Sequence, residues 1–140
     1  MSASFFLDTN VFVYEASRKH PAKQAAAVRL VADALNSGDG TISFQVVQEF
    51  FSVAFRRFNP PMTVSEAHEA VAYTFGPLRT VHSSYHLYQR ALELSRRFSL
   101  SWYDSLIVAA ALEANCHILY TEDLQHNQKF DTLLVQNPFL

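Results

Sequence analysis

The sequence predicts an α/β fold, a three-layer α/β/α arrangement with a short central parallel sheet. Three observations carry that expectation. Short apolar runs alternate along the chain with longer segments of helical spacing. The short runs lack polar alternation, the pattern of strands covered on both faces. Strong loop signals separate the segments, at Asn36 to Gly40 (NSGDG) and at Asn59-Pro60-Pro61. A single domain, 1–140, accommodates them, since a chain of 140 residues buries a core without disulfide or metal support.

Taken in order, Ser4 to Leu7 reads as a buried strand. Pro21 to Leu35 reads as a helix with Ala25, Val28, Val31, Ala32 and Leu35 at apolar positions, ended by the glycines of NSGDG. Thr41 to Ser43 is a short strand and Gln45 to Phe58 a helix. Thr63 to Thr74 is a further helix, with Thr63 and Glu66 spaced as a capping box. Thr80 to His82 reads as a short strand. Tyr85 to Phe98 is a helix that aligns Leu87, Ala91, Leu94 and Phe98, and Tyr103 to Asn115 is another. His117 to Tyr120 and Leu133 to Val135 are the remaining strands.

Composition narrows the function classes. Hydrophobic residues make up 49% and aromatics 14%, so the chain is globular. A net charge of −2 and a pI of about 6.3 argue against retention on nucleic acid by bulk charge, so any basic groove is local. Cys116 stands alone and reads as a small buried hydrophobe, which fits a reducing, cytoplasmic setting. No secretory signal is visible, and the longest uncharged apolar run, Leu106 to Leu112, is far too short to cross a bilayer.

Four carboxylates stand out by position. Asp8 follows the first strand and lies between two apolar runs. Asp123 follows the strand at His117 to Tyr120. Asp104 opens the helix containing LIVAAAL, and Glu49 shares a helix face with Val46 and Val53. Singly, Asp104 reads as a helix cap, Asp123 as a turn residue and Glu49 as the edge of an apolar stripe. Together they can converge, because ligands of a parallel sheet bind at the carboxyl ends of its strands. Converging carboxylates without cationic partners raise their own pKa values, and a divalent cation removes the conflict. A set of hard oxygen donors favours Mg²⁺ or Mn²⁺.

The motifs LDTN (Leu7 to Asn10), QEF (Gln48 to Phe50), WYDSLIVAAAL (Trp102 to Leu112) and YTEDLQH (Tyr120 to His126), in this order and spacing, resemble those of PIN-domain ribonucleases. Within that family they resemble the VapC-type toxins of prokaryotic toxin–antitoxin pairs. The resemblance covers almost the whole chain and implies the α/β/α PIN fold. It implies Asp8, Glu49, Asp104 and Asp123 as the catalytic, metal-holding acids, with Thr9, Asn10 and Thr121 as polar supports. Glu122 remains open as a supplement to Asp123 or a replacement for it. The resemblance further implies a homodimer and a small cognate VapB-like antitoxin, whose Arg or Lys could stand in for the metal. Asn127 stands where relatives often have glycine, and Asn also tolerates a left-handed backbone.

The chemistry expected is hydrolysis of RNA by activated water, leaving 5′-phosphate and 3′-hydroxyl ends. Arg18, Lys19 and Arg56 are the candidate RNA contacts because they follow the acidic segments, whereas Arg96 and Arg97 read as solvated charges. The aromatic set Phe50, Phe51, Phe55, Phe58, Tyr73 and Phe75 is divided between core and partner surface. Other readings stay open: a metal-free histidine mechanism through His82 and His86, and a phosphotransferase with Asp8 as nucleophile. A PIN nuclease of RNA processing outside toxin systems and a catalytically silent PIN-fold binding module also remain.

Overall fold

A computed structural model describes residues 4–140. Strand β1 (Phe5–Leu7) leads into α1 (Thr9–Ala16) and α2 (Pro21–Ser37); β2 (Gly40–Ser43) leads into α3 (Phe44–Arg56). Helix α4 (Val64–Ala70) runs on through a π-helical turn (Val71–Phe75) to β3 (Arg79–Val81). Helices α5 (Tyr85–Phe98) and α6 (Trp102–Glu113) precede β4 (Ile118–Tyr120), β5 (Lys129–Phe130) and β6 (Leu133–Gln136). The strands form one sheet in the order β3-β2-β1-β4-β6-β5. Its first five members are parallel, and β5 alone runs antiparallel, against β6. This is the expected α/β architecture with a short, mostly parallel central sheet.

β1 lies at the centre, with Phe6 opposite Thr41 on one side and Leu119 on the other. Phe6, Leu7, Ile42, Leu119 and Val135 are fully buried because helices cover both faces. Helix α6 is buried from Ser105 to Leu112, as its all-round apolar composition requires. Helix α5 is amphipathic: Leu87, Ala91 and Leu94 pack inward while Arg96 and Arg97 stay in solvent. The aromatic set divides. Phe50 and Phe75 join Phe12 in the core with ring centroids 5.0–5.2 Å apart, whereas Phe55 and Tyr73 are exposed.

Three differences from the sequence reading have physical causes. Helix α1 has no counterpart in it. Its eight residues include Val11, Phe12 and Val13, all poor helix formers, and it forms because Asp8 caps it and Val11 and Phe12 are buried. The two-residue strand β5 is too short for any periodicity; the left-handed Asn127 and Asp131 on either side turn the chain into it. The buried face of α2 is Ala27, Val31 and Ala34, and Val28 and Leu35 point to solvent. Alanines around the whole helix leave its apolar stripe ambiguous, and packing on β2 decides it.

That contact is tight. A Cβ at Gly40 would lie 2.3 Å from the Ala34 Cβ and 2.8 Å from its Cα. Gly40→Ala is therefore expected to lower unfolding free energy by about 1–3 kcal/mol. Denaturant titration checks this, and a change indistinguishable from zero would mean that α2 shifts freely. Gly38, at φ 75°, closes α2 in the left-handed conformation foreseen at NSGDG. Thr63 and Glu66 form the expected capping box. Among the described residues no helix is long and apolar enough to cross a membrane.

Candidate active site

Asp8 sits where β1 ends and α1 begins, and it is only 6% exposed. Its Oδ1 accepts the Thr9 N–H at 2.7 Å, and its Oδ2 accepts the Thr121 hydroxyl at 2.7 Å. The first bond caps α1, whose positive end also favours the carboxylate. The second joins β1 to the segment after β4. Burial pushes the Asp8 carboxyl up to about 7, the two hydrogen bonds oppose that, and nearby Asp123 and Glu49 add to it.

The other acids arrive from three separate elements. Glu49 lies on α3, where its Oε1 accepts from the Thr9 hydroxyl at 2.8 Å. Gln45 reaches the same oxygen at 3.4 Å and the Tyr103 carbonyl at 3.2 Å, so it ties α3 to α6. Asp104 stands in the first turn of α6, its backbone N–H held by the Ser101 hydroxyl. Asp123 follows Thr121, whose hydroxyl oxygen accepts the Asp123 N–H at 3.1 Å. Burial raises the Asp123 carboxyl above its ordinary range, and the charges of Asp104, Glu122 and Glu49 push it further.

Asp8, Glu49, Asp104 and Asp123 line one cavity of about 330 Å³, together with Thr9, Asn10, Tyr14 and Arg57. Glu122 does not face it. Its carboxylate accepts the Tyr14 hydroxyl at 2.5 Å and the Lys23 ammonium at 2.9 Å, with that ammonium 4.7 Å from the centre of the Tyr14 ring. Glu122 is thus tied to α1 and α2, and Asp123 is the acid turned toward the other three.

The donor chemistry fits a hard divalent cation. The cavity presents carboxylate oxygens, and both polar atoms of the Asn10 amide are buried without a hydrogen-bond partner. An orphaned amide beside a raised carboxyl marks a place where charge or water is missing from the protein's own bonding. Among the described residues no three His, Cys, Asp or Glu side chains are grouped closely enough to hold a metal ion between them.

The basic candidates separate. Arg56 folds back on its own helix, to the Ser52 carbonyl and hydroxyl. Arg57 instead lines the acidic cavity. Its signal was present in the sequence as the row Gln45, Glu49, Val53, Arg57, four apart along α3. Arg18 and Lys19 line an adjoining groove. Of the histidines, His82 rests on Phe44, His86 Nδ1 lies 2.6 Å from Glu113, and His126 Nδ1 accepts the Asn137 N–H; none of these lines the acidic cavity.

Comparison with known proteins gives a consistent result. A family model, the PIN domain, matches residues 5–129. The fold is similar to that of Mycobacterium tuberculosis VapC20, described as a Sarcin-Ricin loop cleaving toxin, with TM-score 0.67 and 21% identity over 86% of this chain and 90% of that one. It is similar to a toxin–antitoxin complex from Klebsiella pneumoniae, with TM-score 0.67 and 15% identity over 96% and 98%. A DNA-bound VapBC from Salmonella typhimurium aligns with TM-score 0.64 and 18% identity over 98% and 99%. No curated protein matches at the level of sequence.

Proposed function

The chain belongs to the PIN-domain family, and on that premise we propose that it is a Mg²⁺- or Mn²⁺-dependent endoribonuclease, the toxin of a toxin–antitoxin pair. The observation that carries this reading is the meeting of Asp8, Glu49, Asp104 and Asp123, from four separate segments, around one cavity at the carboxyl edge of the sheet. When bound, a divalent cation would lower the pKa of a nearby water and offset charge on the phosphate. Asp8, Glu49, Asp104 and Asp123 would hold that ion. Thr121 and the Thr9 N–H fix the Asp8 carboxylate, and the Thr9 hydroxyl orients Glu49. Asn10 lines the cavity with a buried amide that has no partner within the protein. Lys23 and Tyr14 hold Glu122 aside.

The products expected are 5′-phosphate and 3′-hydroxyl ends. RNA incubated with the protein and Mn²⁺ should yield new 5′ ends that ligate directly to an adaptor, and EDTA should stop their appearance. Ends bearing 2′,3′-cyclic phosphate, or cleavage indifferent to EDTA, would overturn the scheme in favour of histidine chemistry. The similar folds solved as VapBC or toxin–antitoxin complexes support a small antitoxin as the inhibitory partner. A homodimer as the active form and a cytoplasmic setting belong to the same proposal and rest on the family resemblance alone. Co-purification with the product of the neighbouring reading frame tests the partner.

A further inference from the structure

Beside the acidic cavity runs a larger groove of about 820 Å³, between the end of α1 and the end of α3. The two share Val13, Tyr14, Val53 and Arg57, so they adjoin along these side chains. The groove's character is the reverse of the cavity's: Arg18, Lys19 and Arg57 line it with His20, and Tyr14 and Phe58 supply aromatic surface. Among the described residues none of these three cations is in an ion pair. Glu66 also lines the groove, but its carboxylate caps the Thr63 N–H at 2.9 Å. A protein of net charge −2 thus keeps unpaired cations at the entrance to its carboxylates.

We infer that this groove holds single-stranded RNA, with Arg57 as the substrate-positioning residue that grips a phosphate beside the scissile one. The inference rests on the endoribonuclease reading and deepens it. Cations interleaved with aromatic side chains are what an unpaired strand needs, for its phosphates and its bases respectively. Among the described residues Arg57 is the one cation that lines both spaces. It spans the passage from a basic groove to an acidic site, where the strand must be held against carboxylate repulsion. Arg18 and Lys19 lie further along and would meet phosphates outside the cavity.

The test uses the full chain carrying Asp8→Asn, with Mg²⁺ and a fluorescent oligouridylate, read by anisotropy. Adding Arg57→Ala should weaken binding about tenfold, the worth of one charge-assisted bond, and should reduce the salt slope by about 0.7. Arg57→Lys should recover part of the loss. Arg96→Ala, on α5 outside both cavities, should change nothing, and thermal melting should be the same for all variants. In the chain with Asp8 intact, Arg57→Ala should raise KM more than it lowers kcat. Binding that is indifferent to Arg57 overturns the groove assignment alone, whereas no RNA binding at all overturns the ribonuclease reading with it. Equal binding of an RNA duplex overturns the single-strand assignment. If polyglutamate competes as well as RNA of equal charge, the groove is an acidic-peptide site and the proposal fails.

Discussion

Asp8→Asn is expected to reduce RNA cleavage by about 10²–10³-fold or more, the cost of removing one preorganised charge from an active site, while the fold survives. Asn has nearly the same shape as Asp. Its Oδ1 can still accept either the Thr9 N–H or the Thr121 hydroxyl, and its amide can donate to the Thr121 oxygen. What disappears is the negative charge that a divalent ion would share. In EDTA the variant should melt at a higher temperature than the parent near neutral pH, because a buried charge has been removed along with its desolvation cost. A stable, folded variant that cleaves at the parent rate would show that Asp8 is a structural cap alone. An unfolded variant would show that its capping role outweighs its desolvation.

The metal-free protein is expected to lose stability as pH rises from about 4 toward 7. The Asp8 carboxyl stands at about 7 in the folded chain against 3.8 as its ordinary value. The native state therefore binds the Asp8 proton more tightly than the unfolded state does. That contribution is fully present below pH 3.8 and is lost as pH climbs through about 7. At 1.36 kcal/mol per unit, the loss from Asp8 amounts to roughly 4 kcal/mol once complete. The raised Asp123 carboxyl adds to it in the same direction. Mg²⁺ or Mn²⁺ should reverse the loss, since a bound cation stabilises the deprotonated site. Thermal melts from pH 4 to 8, with EDTA or with Mn²⁺, read this directly. Asp8→Asn should flatten both the pH dependence and the response to the ion. A metal-free stability that rises over this interval would mean that other groups outweigh Asp8. An absent response to the cation at pH 8 would remove the support for a metal site.

Much of this was legible along the chain because its signals are local. The capping box of Thr63 and Glu66 depends on residues three apart, and α5 carries an apolar stripe that admits one orientation. Asp8 announced itself as a carboxylate between apolar runs, and the rhythm of elements suggested a parallel sheet, though not its strand order. Helix α1 was not legible, because its residues disfavour a helix and only burial of Val11 and Phe12 reverses that preference. The inner face of α2 was misread: of Ala25, Val28, Val31, Ala32 and Leu35 only Val31 is buried, because the close approach of Ala34 to Gly40 turns Ala27, Val31 and Ala34 inward.

The sequence by itself determined the fold class, and the order and spacing of its acidic motifs made Asp8, Glu49, Asp104 and Asp123 the candidates for one oxygen-rich site. Only the tertiary structure decided which groups face the cavity. Glu122 and Asp123 are adjacent, and nothing near them in the chain distinguishes their directions. The choice falls to Tyr14 and Lys23, separated from Glu122 by 108 and 99 residues, which engage Glu122 and leave Asp123 to the site. Arg56 and Arg57 present the same problem at the end of α3, where one side chain turns back to Ser52 and the other enters the cavity. The physical reasons differ. Arg56 is turned by Ser52, one turn back on its own helix, whereas the direction of Glu122 is set by partners from α1 and α2 that reach it only when the sheet has formed.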